Sequence, residues 1–252
     1  MDWIKIVDLP KDCNVSIPIT KISLKQHDQI ILSESRLLDG ADIQSIRLIG
    51  AVTQRSANIE PLANKQESYL EVYFIVVQIA AEAYQKTYKP ISRLLHKLIP
   101  HHCIIITQTD NGKKHHISLH TKLIHQQRAD MRVLNKEIIT STITKDTPTE
   151  FFQQLAFNAA QRTNLKAFYN HYIQVMQNYL LAEVTQAFKM HSVADTEEKM
   201  KLFEQYYAYE TAIGAKTKEL HTATQMSEKV ACNTEIHNLK QNLKQIKDKL
   251  YR

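Results

Sequence analysis

The stretch LEVYFIVVQI, residues 70–79, decides the fold. It is almost entirely apolar, and its β-branched and aromatic residues favour a strand over a helix. A run of this kind is typical of a central strand that is buried on both faces of a sheet. We therefore predict a β-sheet in the first half of the chain, with residues 70–79 near its middle.

Other segments of the first half predict further strands. Residues 45–53 (SIRLIGAVT) alternate in polarity, and residues 102–109 and 114–120 flank the sequence Asp110-Asn111-Gly112. An Asn-Gly pair between two apolar runs is a strong signal for a β-hairpin. The opening segment, with two prolines among alternating apolar residues, predicts an edge strand.

Helices are predicted both between these strands and after them. We expect one helix over Leu24–Leu37, ending near Gly40, and a short one over Pro90–Leu98 with Pro90 in its first turn. With only 4 Gly and 6 Pro in 252 residues, long helices with few tight turns are expected. The class is therefore α+β, a small mixed β-sheet with flanking helices followed by a long helical region.

The character of the chain changes near residue 145. Thr147-Pro148-Thr149-Glu150 has the pattern of a capping box, and a wide apolar stripe at helical spacing follows from Leu165 to Phe188. Asp195 begins another such start, with Glu198 three residues later. We predict a mixed α/β domain over residues 1–145 and a helical region over residues 146–252.

The last segment, residues 232–252, carries a regular apolar repeat. Its apolar residues recur at alternating spacings of three and four, as in the a/d seam of a coiled coil. They are Ile236, Leu239, Leu243, Ile246 and Leu250. Because the repeat spans only about two heptads, two interpretations stay open: a seam that joins a partner or a second copy, and a helix packed on its own domain.

Composition excludes several classes of protein. Apolar residues make up 43% of the chain, which is too many for a disordered protein. Neither the P-loop pattern nor the dinucleotide pattern of glycines occurs, and the three cysteines are scattered. The N-terminus lacks the features of a signal peptide, and no apolar run reaches membrane-spanning length. We expect a soluble cytoplasmic protein without a cofactor, a bound metal or a membrane partner.

Positive charge is concentrated in residues 86–145, which contain 11 Lys and Arg against 3 Asp and Glu. A local basic excess is the electrostatic signature of a polyanionic partner. The alternative is a solvated basic face that has no partner. On the first interpretation, nucleic acid would contact Lys97, Lys113, Lys114, His116, Lys122 and Arg128.

Three stretches together resemble a known family. They are Leu9-Pro10-Lys11 followed by Ile17-Pro18, the strand 71–79 followed by Ile99-Pro100 and 103–107, and Glu228-Lys229-Val230 followed by Glu235-Ile236. The arrangement resembles the bacterial proteins grouped as domain-of-unknown-function family 4391. The resemblance implies a setting: such proteins are encoded beside helicase-type ATPases and DNA methyltransferases, in restriction-like or anti-phage cassettes. The resemblance implies that the protein partner is a helicase-type ATPase or a DNA methyltransferase. It does not identify a catalytic residue in this chain.

Two catalytic or metal-binding hypotheses compete with this setting. A divergent Mg²⁺-dependent nuclease would use Glu67 and Glu71, although the lysine expected beside such acids is missing from Glu71-Val72-Tyr73. Alternatively, if residues facing each other across the 110–112 turn sum to about 222, His102, His116 and His120 share one sheet face and could bind Zn²⁺. A polar outer face is the favoured explanation of those histidines, and a register error of one residue would reverse the face.

The leading hypothesis is a non-enzymatic accessory subunit of a DNA-processing system. It would bind a larger partner through the C-terminal helices, and residues 86–145 would contact nucleic acid. The alternatives are the divergent nuclease and a structural homodimer joined through the terminal seam.

Overall fold

A computed structural model describes residues 1–128 and 131–251 of the chain. It confirms the α+β class, with a mixed sheet in the first half and long helices at the end. The strands are β1 (Asn14–Pro18), β2 (Ile43–Thr53), β3 (Leu62–Ala63), β4 (Ser68–Tyr69), β5 (Glu71–Ile79), β6 (His102–Thr109), β7 (His115–Ile124) and β8 (Arg132–Ile139).

The α-helices are longest toward the C-terminus. They are α1 (Trp3–Val7), α2 (Lys21–Lys25), α3 (Leu32–Asp39), α4 (Gln54–Ala57), α5 (Tyr84–Leu98), α6 (Thr149–Leu155), α7 (Leu165–Thr185), α8 (Val193–Thr222) and α9 (Met226–Tyr251). Two 3₁₀ turns lie at Lys11–Cys13 and Phe157–Ala159. Within the described residues, no helix is both long and apolar enough to cross a membrane.

Six strands form the main sheet in the order β1-β2-β5-β6-β7-β8. β5 runs parallel to β6, to which α5 connects it, and the remaining neighbours are antiparallel. The prediction that residues 70–79 form a central strand is confirmed, because β5 lies between β2 and β6 and its apolar residues are buried on both faces. β1 is an edge strand, as the opening prolines predicted.

The predicted hairpin is confirmed, but its register differs from the expected one. Gly112 has the positive φ that its turn requires, 64°, and its N–H donates to Thr109 O at 2.9 Å. Ile106 pairs with Ile117, so facing residues sum to 223 and not to 222. The expected pairing of His102 with His120 is therefore wrong.

β8 is a strand that we did not predict. Its polar residues Asn135, Lys136 and Glu137 interrupt the apolar alternation, and its pairing with β7 shifts between His120 and Lys122. β8 is the outermost strand, and an irregular edge strand with an exposed lysine resists pairing with other chains.

Two helix predictions need correction. The single helix expected over Leu24–Leu37 is two helices, because α2 ends at Lys25 and α3 starts at Leu32, although α3 does end beside Gly40. α5 begins at Tyr84, which leaves Pro90 inside the helix instead of in its first turn. Pro90 lies on the exposed side of α5, where water can satisfy the carbonyl that lacks an N–H partner.

The start of α8 lies slightly before the expected one. Ser192, and not Asp195, is the N-cap, since the Ser192 Oγ accepts from the Asp195 N–H at 3.2 Å. Asp195 instead occupies the first turn, where its carboxylate accepts from the Ser192 hydroxyl at 2.7 Å. A negative charge in the first turn of a helix is favourable because the N–H groups there have no helical partner.

The chain divides into two compact units, the sheet unit (residues 1–176) and the hairpin unit (residues 177–252). In the sheet unit, α5 covers one face of the main sheet, and the first turns of α7 pack on Phe74 from the other. The sheet unit thus extends past residue 145, because Phe168 and Tyr172 of α7 belong to its core. The hairpin unit has its own core, made of Leu181, Val184, Met200, Phe203, Ile246 and Leu250.

Candidate functional site

The two carboxylates of the nuclease hypothesis have separate partners. Glu71, at the start of β5, accepts a hydrogen bond from the Tyr73 hydroxyl at 2.5 Å. Burial and the adjacent Glu71 raise the pKa of Tyr73. Glu67 forms an ion pair with Lys166 of α7. In the described part of the chain, no three His, Cys, Asp or Glu side chains are grouped so that they could hold a metal ion.

The basic segment 86–145 does not form one surface, because several of its cations are paired inside the sheet unit. Lys97 donates to both carboxylate oxygens of Glu34, at 2.8 and 2.9 Å. Arg93 makes a two-point contact with Glu137, at 2.6 and 2.7 Å. These carboxylates neutralise charges that the composition had suggested were available to a polyanion.

Lys122 is a structural lysine in the interior. Its side chain is 1% exposed, and its Nζ donates to the carbonyls of Ile99 and His101, both at 2.6 Å. Burial lowers the pKa of Lys122, because the charged form loses its hydration. The structure therefore does not place Lys122 where a phosphate could reach it.

His116 also lies in the interior and not on an outer face. Its Nδ1 is 2.8 Å from the Tyr84 hydroxyl, and its ring stacks on Tyr88 with 4.0 Å between centroids. Burial lowers the pKa of His116 to about 4, so the imidazole is neutral at pH 7. Like Lys122, it is out of reach for the phosphate contact that we expected.

Three of the expected contact residues do remain at the surface, at two separate places. Lys113 and Lys114 lie in the turn before β7, and Arg128 follows the strand's other end. A strand of ten residues spans roughly 30 Å, so the turn and Arg128 cannot belong to one small patch. Lys89 lies over the ring of Tyr88, with its Nζ 5.7 Å from the ring centroid, and Tyr88 in turn stacks on His116.

The histidines around the hairpin form part of the core. His96 bonds Ser118 Oγ at 3.1 Å and packs against the ring of His120, with 4.6 Å between centroids. His102, on the other sheet face, stacks on Tyr69 at 3.9 Å, and burial lowers its pKa to about 3. Both ring nitrogens of His102 are buried without a hydrogen-bond partner in the described residues, as are the Nδ1 atoms of His96 and His120. His102, His116 and His120 lie in the strands β6 and β7, among mostly apolar residues. This apolar context was the feature of the sequence that could have indicated their burial.

The Tyr169 hydroxyl of α7 bonds to backbone groups of β6 and β7 at the point where these two strands stop pairing with each other. Beyond the pair Ile104–Leu119, the His120 N–H donates to the Tyr169 hydroxyl at 3.1 Å. The hydroxyl in turn lies 3.1 Å from Cys103 O and 3.0 Å from His120 O, either of which can accept its proton. Because a phenol group replaces a missing ladder bond, this polar group inside the sheet has a structural role.

α8 and α9 form an antiparallel helical hairpin. The terminal apolar repeat faces α8 of the same chain, where Ile246 and Leu250 join Met200 and Phe203 in one cluster. Ile236 is also buried, whereas Leu239 and Leu243 are half-buried. Ile246 and Leu250 therefore contribute to packing within the chain. Farther along, Lys216 pairs with Glu235 at 2.9 Å.

The distal half of this hairpin differs from its base. Across residues 204–235 no side chain is buried, although the segment carries large apolar residues. Tyr207 is 42% exposed, Met226 is 77% exposed and Val230 is 59% exposed. In this part of the chain α8 and α9 pack on each other, and near the base of the hairpin Tyr207 also donates to Glu183 of α7 at 2.7 Å.

One family model matches residues 7–243, nearly the whole chain, and its description is a domain of unknown function, DUF4391. No curated protein and no solved structure matches the sequence. The geometry of the described residues is therefore the basis for any more specific proposal.

Proposed function

The chain belongs to the domain-of-unknown-function family 4391, and we propose that it is a non-enzymatic accessory subunit of a DNA-processing system. It would act in the cytoplasm by binding a larger protein through the distal half of the α8–α9 hairpin. The family resemblance supports the setting, in which the partner is a helicase-type ATPase or a DNA methyltransferase. The hairpin supports the mode of binding.

The observation that carries this proposal is the unburied distal hairpin, residues 204–235. Helices in proteins derive most of their stability from packing an apolar face. Here α8 spans 30 residues, about 45 Å, yet none of its residues after Phe203 is buried. Met226 and Val230 lie one helical turn apart in α9, and exposed apolar residues on one helix face are typical of a surface that binds another protein.

The apolar seam itself is not the proposed binding surface. Replacing Leu239 or Leu243 would disturb the contact between α8 and α9, so loss of a partner in such variants would have two explanations. Met226 and Val230 are better positions, because both are highly exposed and lie near the turn between the helices. Changing them alters the outer surface and leaves the seam intact.

Nucleic acid would contact a smaller surface than the whole of residues 86–145. Lys113 and Lys114 in the exposed turn are the cations that support this part of the proposal. Charge reversal of Lys113 and Lys114 should weaken binding to double-stranded DNA and reduce its salt dependence. An unchanged salt slope in a gel-shift series would remove DNA contact from the proposal and leave the protein-binding role.

The test of the protein-binding role is co-purification with a helicase-type ATPase or a DNA methyltransferase of the same cell, the two partner classes that the family resemblance implies. The double variant Met226→Asp and Val230→Asp should lose the partner. The matched control, Gln225→Asp with Ser227→Asp, adds the same charge to the same segment and should retain it. A complex that survives the apolar-to-Asp changes would disprove the role of the distal hairpin.

The two alternatives make different predictions in the same preparation. A nuclease would cleave DNA with Mg²⁺ and lose activity in Glu71→Gln, but Glu71 and Glu67 are engaged by Tyr73 and Lys166. A structural homodimer would show twice the chain mass by light scattering without any partner. No specific contact favours either one over the accessory role.

A further inference from the structure

The hairpin unit contains a cavity of about 540 Å³ near the start of α8 and the end of α9. Its volume lies within the usual range for sites of small molecules. Seven residues line it: Lys189, His191, Asp195, Glu198, Lys199, Leu202 and Lys249. None of these residues figures in the proposed contacts with protein or DNA.

Three lysines line this cavity. In the part of the chain that the structure describes, Lys189, Lys199 and Lys249 form no ion pair, in contrast to Lys97, Lys166 and Lys216. Lys199 donates to Leu250 O at 2.9 Å, which uses only one of its three N–H groups. Burial and the charges of Lys199 and Lys189 lower the pKa of His191, whereas the charge of Asp195 raises it.

Two carboxylates give the same cavity a second kind of recognition. The Asp195 carboxylate is fixed by the Ser192 hydroxyl at 2.7 Å, and Glu198 lies one helical turn later on α8. Carboxylates accept hydrogen bonds from hydroxyl groups, whereas ammonium groups bind phosphate oxygens. The cavity thus offers donors for an anion and acceptors for hydroxyls, with Leu202 as an apolar contact.

We propose that this cavity binds a small phosphate-bearing ligand with free hydroxyl groups, of the nucleotide class. Lys189, Lys199 and Lys249 would hold the phosphate, and Asp195 and Glu198 would accept hydrogen bonds from the ribose. Since Lys199 belongs to α8 and Lys249 to α9, a bound phosphate would connect the two helices near the base of the hairpin. This inference does not depend on the proposed accessory function.

The test is calorimetric titration of the full chain with AMP, ATP, inorganic phosphate and adenosine. The phosphate-bearing probes should bind, and adenosine should bind at least tenfold more weakly than AMP. The variant Lys189→Gln with Lys249→Gln should weaken AMP binding at least tenfold. The control Lys240→Gln with Lys244→Gln removes the same charge from exposed positions of α9 outside the cavity and should change AMP binding less than twofold.

A second variant tests the hydroxyl contacts separately. Glu198→Gln should weaken AMP several-fold and leave inorganic phosphate unchanged or slightly tighter. A 5′-phosphorylated single-stranded oligonucleotide distinguishes the two sources of such a phosphate. Binding weaker than that of AMP supports a free nucleotide, whereas tighter binding through the same lysines would overturn the free-nucleotide assignment in favour of a nucleic-acid end.

Two results would overturn the site itself. One is the absence of binding by every phosphate probe, and the other is equal weakening in both double-lysine variants, which would indicate a diffuse charge effect. Circular dichroism establishes that each variant is folded. If the double variant does not fold, Lys249→Gln alone changes one exposed residue and should still weaken AMP at least threefold.

Discussion

The sheet unit and the hairpin unit differ in what they bury, although both expose large apolar side chains, such as Ile22 and Leu32 in the sheet unit. The sheet unit buries histidines and a lysine inside its core, whereas the hairpin unit leaves Met226 and Val230 in contact with water. Burying a polar group is costly unless it is bonded, and exposing large apolar groups is common where another protein binds. This difference is consistent with the proposal that the distal hairpin, and not the sheet unit, binds a partner protein.

The largest expected difference between the two units is that the sheet unit loses folding stability at acidic pH. Burial lowers the pKa of His116 to about 4 and that of His102 to about 3, and it lowers the pKa values of His96 and His120 as well. Each of these groups binds a proton more weakly in the folded state than in the unfolded state, where its pKa is near 6.5. Stability is therefore complete above about pH 6.5 and falls as the pH decreases below it.

At pH 5 the loss should be about 2 kcal/mol for each of His102 and His116, because the folded state cannot accept the proton that the unfolded state binds. Trp3, the only tryptophan, is buried in the sheet unit beside His115, so its fluorescence reports unfolding of that unit. Urea midpoints measured through Trp3 at pH 7 and pH 5 give the loss. A midpoint that does not change between these values would contradict the buried, neutral state of the histidines.

The next effect concerns Lys122, the buried cation of the sheet unit. Lys122→Ala should lower the free energy of unfolding by about 3 kcal/mol, because it removes the ammonium group that donates to the Ile99 and His101 carbonyls and opens a cavity. Lys122→Met should cost less, since it fills the space and removes the need to bury a charge. Lys114→Ala, in the exposed turn, should stay within about 0.5 kcal/mol of the wild type. Equal costs for Lys122→Ala and Lys114→Ala in urea unfolding would show that Lys122 is not a structural residue.

A smaller effect compares two tyrosines, one in each unit. Tyr169→Phe removes the hydroxyl that serves the His120 N–H inside the sheet, and should cost about 2 kcal/mol. Tyr207→Phe removes an exposed hydrogen bond to Glu183, 2.7 Å long, and should cost less than about 0.5 kcal/mol. Thermal unfolding of the two variants measures the difference. Equal stability of Tyr169→Phe and the wild type would contradict the structural role of the hydroxyl. It would mean that a water molecule accepts the hydrogen bond of the His120 N–H as well as the phenol does.

Local sequence patterns were sufficient for part of this fold. The apolar run of β5 and the Asn-Gly turn before β7 predicted the centre of the sheet and its hairpin, because both depend on residues that are adjacent in sequence. The orientation of His116 and Lys122 depends on the register of the hairpin and on the covering helix α5, and neither is encoded locally. Net charge was therefore a poor guide to the surface of residues 86–145. A net charge gives a buried lysine or a paired arginine the same weight as a cation that is exposed to solvent.

The candidate sites show the same limit. The seam of Ile236, Ile246 and Leu250 was correctly recognised as an apolar stripe, but its spacing is the same whether the facing helix belongs to this chain or to another. The lysines of the cavity are separated in sequence by 10 and 50 residues, so only the return of α9 along α8 brings them together. A pattern search has no means of finding such a group.

The smallest expected effect on stability is the most informative about function. Met226→Asp with Val230→Asp should change the free energy of unfolding by less than about 0.5 kcal/mol, since neither side chain is buried in the chain alone. The same pair of changes should abolish co-purification with the partner, because a charge placed in an apolar interface loses its hydration without compensation. Measuring both quantities on one preparation separates a surface that serves a partner from one that serves the fold. A large loss of stability would mean that these residues support the hairpin itself, and the exposed apolar groups would then no longer argue for a partner.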